Sequence, residues 1–344
     1  MSFCKSQKLN IILDGQFGST GKGLISGYLS LTEDFDIFCS NLSPNAGHTF
    51  YNSNNERFMT KQLPIGGILN KRSMIYLTPG SIIDPQILLK EIDDYNIDST
   101  RLFIHPRCAV VQKKHIMKEK DSNSSVSKIA STQSGTGEAL SDKVLRKSPV
   151  AKDISELQPF IKDIDLMELM DLGCNILMET SQGFDLSINS GYSYPHCTSR
   201  EVTTMSALTD SQVHPQYLGN VMMCIRTYPI RVGHTYKNGV KIGDSGPFYL
   251  DSEETDWKTL GLDDEYTTVT QRVRRVATFS EYQYKRALNY IKPSHVFLNF
   301  VNQVSDDEYK EELFNIFKNT KYPTHLSYGK SVEDVVETQT RSRL

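Results

Sequence analysis

A strand-like run, Leu9-Asn10-Ile11-Ile12-Leu13, leads directly into Gly15-Gln16-Phe17-Gly18-Ser19-Thr20-Gly21-Lys22-Gly23. Leu24-Ile25-Ser26-Gly27-Tyr28-Leu29 then reads as a helix. A strand, a glycine-rich loop and a helix N-terminus in that order form a cradle for phosphate. Backbone N–H groups point inward, the helix dipole favours negative charge, and the lysine adds a point charge. The match to the common phosphate loop is imperfect, because that motif needs Gly-x4-Gly-Lys-Ser/Thr. Here Gln16 takes the first glycine position, and Gly23 replaces the hydroxyl that would hold Mg²⁺. The alternative is a tight strand-to-helix turn with an exposed lysine. Glycine density this high, directly after the first strand, favours phosphate binding.

Downstream, short apolar runs alternate with amphipathic ones. Asp36-Ile37-Phe38-Cys39, Ser73-Met74-Ile75-Tyr76-Leu77, Arg101-Leu102-Phe103-Ile104, Asn175-Ile176-Leu177-Met178, His295-Val296-Phe297-Leu298 and Thr324-His325-Leu326-Ser327 read as buried strands. Residues 85–95, 281–291 and 309–318 carry apolar positions at helical spacing: Ile87, Leu88, Ile92 and Tyr95; Tyr284, Ala287, Leu288 and Ile291; Leu313, Ile316 and Phe317. This alternation predicts an α/β fold with a mainly parallel central sheet flanked by helices. Residues 121–127 and 131–137 are small and polar, and read as mobile surface loops. Residues 233–254, with Gly239, Gly243, Gly246 and Pro247, also read as loop. There is no repeat and no composition break, so residues 1–344 are expected to form one large domain.

Charge excludes some functions. The 38 Lys+Arg are offset by 41 Asp+Glu, a net of −3, where a nucleic-acid binder would be clearly basic. No apolar run approaches the roughly 18 residues of a membrane span. Met1-Ser2-Phe3-Cys4-Lys5 lacks an apolar leader, so the expected location is the cytoplasm. The cysteines, Cys4, Cys39, Cys108, Cys174, Cys197 and Cys224, show no Cys-x-x-Cys or zinc spacing and read as reduced thiols.

A second polar loop, Ser43-Pro44-Asn45-Ala46-Gly47-His48-Thr49, follows the second strand. Ligand sites occur there in open parallel sheets. The two loops together resemble those of adenylosuccinate synthetases, whose first loop reads Gln-Trp-Gly-Asp-Glu-Gly-Lys-Gly and whose second reads Asn-Ala-Gly-His-Thr. The likeness continues in order through Asp142-Lys143-Val144-Leu145-Arg146, Ser181-Gln182-Gly183, Tyr194-Pro195-His196-Cys197-Thr198-Ser199, Arg231-Val232-Gly233 and Thr270-Gln271-Arg272-Val273-Arg274-Arg275. It covers essentially the whole chain. It implies a P-loop-like nucleotide-binding fold of this family's type, with active-site loops at 14–23, 43–49, 121–146, 233–254 and 265–275.

Two departures bear on the substrate. The family's loop aspartate, which takes the N1 proton of inosinate and helps hold Mg²⁺, is Ser19 here, and its glutamate is Thr20. A serine hydroxyl is shorter, uncharged and a poor base. It leaves room beside N1, where guanine carries a 2-amino group. Further on, the family's guanine-reading Thr-Lys-x-Asp becomes Asn299-Phe300-Val301-Asn302, which suits adenine. Both changes resemble the phage-type branch of the family, the N6-succino-2-amino-2′-deoxyadenylate synthases. There dGMP replaces IMP, and ATP or dATP replaces GTP.

The resemblance implies the following roles. ATP would lie against Gly18, Ser19, Thr20, Gly21, Lys22, Gly23, Gly47, His48, Thr49, Arg274, Asn299, Asn302, Ser327 and Gly329. The dGMP would be held by Ser19, Asn45, Ala46, Thr132, Gln182, Thr198, Val232 and Arg272, with Arg146 arriving from the partner of a homodimer. L-Aspartate would meet Thr268, Val269, Thr270, Gln271, Arg272 and Arg274. Mg²⁺ would sit by Ser19 and Gly47, and catalysis would involve Ser19 and His48. Asp14, where the family has a small residue, is either the missing base or a turn-capping aspartate. The rival readings are an ordinary adenylosuccinate synthetase acting on IMP, a catalytically dead nucleotide-binding regulator, and an unrelated P-loop ATPase or kinase. Gly23 and the Asn-Ala-Gly-His-Thr loop argue against the last.

Overall fold

The computed structural model describes residues 4–121, 123–267 and 270–338. Its centre is a sheet of nine strands: β1 (Leu9–Asp14), β2 (Ile37–Ser40), β3 (Met74–Leu77), β4 (Leu102–Ile104), β5 (Ile176–Glu179), β6 (Leu218–Arg226), β7 (His295–Asn299), β8 (His325–Ser327) and β9 (Val335–Glu337). Their spatial order is β9-β8-β7-β6-β1-β5-β2-β3-β4. Every pairing is parallel except β8 with β9 at the edge. The mainly parallel α/β sheet is therefore as expected. All six residues of β1 are buried, as in a strand covered on both faces. One cluster, including Ile11, Leu13, Met178, Met223 and Leu298, fills one side. Another, including Ile12, Leu24, Ile25, Phe38 and Phe50, fills the opposite side under α1 (Lys22–Thr32).

The remaining long helices are α2 (Pro85–Asp94), α3 (Lys113–Lys120), α4 (Thr136–Val144), α5 (Thr204–Ser211), α6 (Glu281–Ile291) and α7 (Asp307–Asn319). Polar N-caps start several of them: Asp84 for α2, Thr203 for α5, Ser280 for α6 and Asp306 for α7. Strand β6 does not show in the sequence pattern, although it pairs with β1. It begins Leu218-Gly219-Asn220, contains two methionines and a cysteine, ends on Arg226, and has only Val221 and Ile225 as β-branched residues, so its strand signature is weak.

Two loop expectations are corrected. Residues 125–128 are helical and α4 begins at Thr136, because Ser124 caps the first of these helices and a glutamate from α3 caps the second. Within 233–254, Thr235–Lys237 and Val240–Gly243 pair as a hairpin whose turn is Asn238-Gly239, both at positive φ. A small antiparallel sheet of Ile230–Arg231, Arg275–Ala277 and Glu254–Thr255 anchors the end of the 265–275 segment. Among the described residues, no helix is long and apolar enough to cross a membrane.

Candidate active site

The strands β1, β5, β6 and β7 end on Asp14, Glu179, Arg226 and Asn299, all buried polar side chains. Above this end of the sheet lies a cavity of about 500 Å³. It sits where ligands bind in open parallel sheets. Non-glycine residues at positive φ gather here, with Ser19 at 56°, Gln182 at 67° and Phe300 at 63° on its wall. Such conformations cluster at ligand sites.

The first loop is organised from below by Asp14, which is fully buried. Its Oδ1 accepts from the backbone N–H of Gln16 at 2.9 Å and Gly18 at 3.2 Å. Its Oδ2 accepts from Thr20 Oγ1 at 2.6 Å and Lys22 Nζ at 3.1 Å. Lys22 also donates to the Gln182 carbonyl at 2.8 Å. Both carboxylate oxygens are thus committed to the loop, and the geometry favours the loop-capping reading of Asp14 over the base. Two glycines are required by close approach. A Cβ on Gly23 would stand 2.7 Å from the Thr49 carbonyl, and one on Gly183 would stand 2.2 Å from the Gly18 nitrogen. The first glycine lets α1 lie on the second loop, and the second lets the Gln182 turn lie on the first.

The second loop ends sooner than expected, because His48 opens a short strand, His48–Tyr51, paired antiparallel with Arg57–Thr60; His48 is buried and lines the cavity. Its Nδ1 hydrogen-bonds Glu179 Oε1, and Glu179 Oε2 accepts from Ile65 N–H at 2.9 Å. With Nδ1 engaged by a carboxylate, Nε2 is the nitrogen available to a ligand. Asn45 Oδ1 accepts from Gln182 Nε2 at 2.9 Å, so the second loop and the turn after β5 form one wall.

The wall facing them is held by Glu119 of α3. Its carboxylate accepts from Gly135 N–H at 2.7 Å and Gly137 N–H at 3.0 Å, capping α4 and fixing the turn that carries Thr132. The 265–275 segment folds back on itself: Thr267 N–H donates to the Arg272 carbonyl, and Arg274 N–H donates to the Glu265 carbonyl, both at 2.8 Å. Arg272 reaches Thr235 Oγ1 at 2.5 Å and the Ala130 carbonyl at 2.7 Å, tying this segment to the Thr132 loop. Burial pushes the Glu265 carboxyl up, but Arg226 and Arg274 outweigh it and hold the group below the usual carboxylate range.

The cavity wall includes Gly18, Ser19, Gly21, Lys22, Gly23, Asn45, Ala46, Gly47, His48, Thr49, Thr132, Gln182, Thr198, Val232 and Arg274. Others named from sequence lie elsewhere. Thr20 turns down onto Asp14, and Asn299 sits behind Gly21 with its Nδ2 donating to the Thr20 carbonyl at 2.6 Å. Asn302 is exposed off the wall, where Phe300 stands instead. Ser327 is fully buried and donates to the Gly329 carbonyl, leaving Lys330 to line the rim. Arg272 lies behind the wall, Thr270 bonds Arg272, and Gln271 is exposed. Arg146 is exposed at the end of α4, away from the cavity of its own chain. Thr268 and Val269 lie outside the described residues. The sequence reading missed Glu119, Glu179, Arg226 and Glu265. Glu179 was detectable as a charge ending an apolar strand, whereas Arg226 ends a strand that the sequence pattern does not show, and Glu119 and Glu265 carry no such signal.

The model of the adenylosuccinate synthetase family matches residues 11–167 and 149–309. The chain belongs to the adenylosuccinate synthetase family. Within it, the chain is 34% identical to the N6-succino-2-amino-2′-deoxyadenylate synthase of Salmonella phage PMBT28, over 96% of this chain and 97% of that protein. Identity to the adenylosuccinate synthetase of Pyrococcus sp. (strain ST700) is also 34%, but over 78% of this chain and 76% of that one. Among solved structures, the succinoaminodeoxyadenylate synthetase of Cyanophage S-2L, bound to dGMP and to dATP as an energy donor, superposes with a TM-score of 0.86. It is 34% identical, with 98% of this chain and 97% of that one covered. This member of the adenylosuccinate synthetase family is a nucleotide-using ligase.

Proposed function

We propose that the protein condenses dGMP with L-aspartate, driven by ATP or dATP, to give N6-succino-2-amino-2′-deoxyadenylate, a precursor of 2-aminoadenine DNA. The observation that carries this reading is Ser19, an exposed hydroxyl on the cavity wall where the family has a carboxylate. Relatives of phage origin matched along nearly their whole length support it.

The γ-phosphoryl group leaves the donor's β-phosphate oxygen for O6 of guanine as N1 gives up its proton, making a good leaving group. The aspartate amine then attacks C6 and inorganic phosphate departs. Lys22, the amides of residues 21–23 and the N-terminus of α1 bind the triphosphate. His48, oriented by Glu179, presents Nε2 to the transferring group. Arg274 offers its guanidinium to an anion. Asn45, Thr132, Gln182, Thr198 and Val232 surround the nucleotide. The Ser19 hydroxyl and the Gly47 carbonyl are neutral oxygens, and they fit a Mg²⁺ ion that takes its charge compensation from phosphates. Bound there, Mg²⁺ would screen the triphosphate. The exposed Arg146 is the residue we assign to a homodimer partner's monophosphate site, and residues 1–344 act as one catalytic unit in the cytoplasm, of the host where a phage encodes the chain.

The test is turnover with dGMP, aspartate and ATP. One succinylated 2-aminopurine nucleotide should appear per phosphate released. Turnover with IMP and none with dGMP would return the chain to the ordinary synthetase reading that the Pyrococcus match represents. Nucleotide binding with no phosphate release would return it to the regulator.

A further inference from the structure

We infer that Arg226 is the hub that couples three loops around the cavity, with Glu265 as its counter-charge. The loop geometry stands by itself; only the substrate named for each loop rests on the proposed function. Arg226 ends β6 and is fully buried. Its Nη1 donates to the Ser19 carbonyl at 3.2 Å and to Glu265 Oε1 at 3.3 Å. Its Nη2 donates to Glu265 Oε2 at 2.8 Å and to Gln303 Oε1 at 3.2 Å. The guanidinium carbon stands 4.5 Å from the centre of the Phe300 ring. Ser19, Glu265 and Phe300 all line the cavity.

A buried guanidinium must be paired, and its planar fork fixes the direction of each partner. The partners here come from three different loops. Ser19 belongs to the phosphate loop, Glu265 to the arginine-bearing segment, and Phe300 with Gln303 to the turn after β7. Glu265 also stands 3.5 Å from Arg274 Nε. An anion that draws Arg274 away leaves Glu265 to Arg226 alone and changes how Nη1 is shared between Glu265 and the Ser19 carbonyl. Arrival of aspartate is thereby felt at the phosphate loop and at the donor-base turn. Arg226 and Glu265 are positioning residues; neither needs to touch a reacting atom.

Hydrogen exchange on the full chain without ligands tests the coupling. In Glu265→Gln, exchange should accelerate about tenfold in residues 15–23 and 299–303 as well as in 263–275. Gln303→Leu, which removes one bond to the hub, should accelerate residues 265–275 in turn and guards against a poorly folded first variant. With substrates, the Glu265→Gln loss should fall on KM for aspartate, about tenfold, rather than on kcat. Acceleration confined to the mutated segment in both variants would overturn the proposal. Wild-type turnover tests the functional reading separately, because exchange needs no substrate.

Discussion

Asp14 and Lys22 form a buried ion pair of 3.1 Å beneath the phosphate loop. Removing one member of such a pair leaves the other charge uncompensated, at a cost of about 3 kcal/mol. Asp14→Asn should therefore lower stability in denaturant titration and raise KM for ATP, while the pH–rate profile keeps its shape. Loss of the acid limb of that profile would restore Asp14 as the base. Glu179 makes a second prediction. Glu179→Gln keeps the shape but removes the charge that orients His48, so kcat should fall about 100-fold with little change in KM. Unchanged kcat would remove the pair from the chemistry. A third concerns Asp185, fully buried against Tyr249, Gln283 and Arg286. Burial pushes its carboxyl up to about 6, against the opposing pull of those three partners. A raised folded-state value means stability that is full below pH 4 and is lost as pH rises through 6. The stability difference between wild type and Asp185→Asn should therefore shift against wild type by roughly 3 kcal/mol from pH 4 to pH 7. A difference independent of pH would contradict this.

Element by element, the site depends on how strands and helices end. Strands β1, β5, β6 and β7 deliver Asp14, Glu179, Arg226 and Asn299 to one edge of the sheet. Helix α4 begins at an αL glycine, Gly135, with no side-chain cap of its own, and Glu119 of α3 supplies the acceptor. Glu119→Gln should cost about 1–2 kcal/mol in denaturant titration and loosen the Thr132 turn, raising KM for the monophosphate. An unchanged midpoint would show that the cap carries no weight. Local patterns revealed α2, α6 and α7 because their apolar positions recur at helical spacing. They did not reveal β6, whose membership in the sheet comes from pairing with β1 and β7 rather than from its own residues. The Glu119 cap was equally invisible, since it joins positions 16 residues apart.

At the scale of the whole molecule, the two glycine-bearing loops were legible because phosphate binding forces particular residues at fixed spacing. Lys22, His48, Asn45 and Ser19 accordingly face one cavity. The donor-base end was less legible. Asn302, read as the base-recognising amide, is exposed, and Phe300 and Lys330 occupy the wall. A short motif gives the order of residues along a turn but not which of them points inward. The supporting charges Glu119, Glu179, Arg226 and Glu265 join segments distant in sequence, and only the folded chain brings them together. The central claim is that an uncharged Ser19 admits a base bearing a 2-amino group. The most direct measurement is chromatography with mass detection of one reaction holding dGMP, GMP, IMP and dIMP in competition, with aspartate and ATP. The account predicts a succinylated product from dGMP; a product from IMP in its place would contradict it.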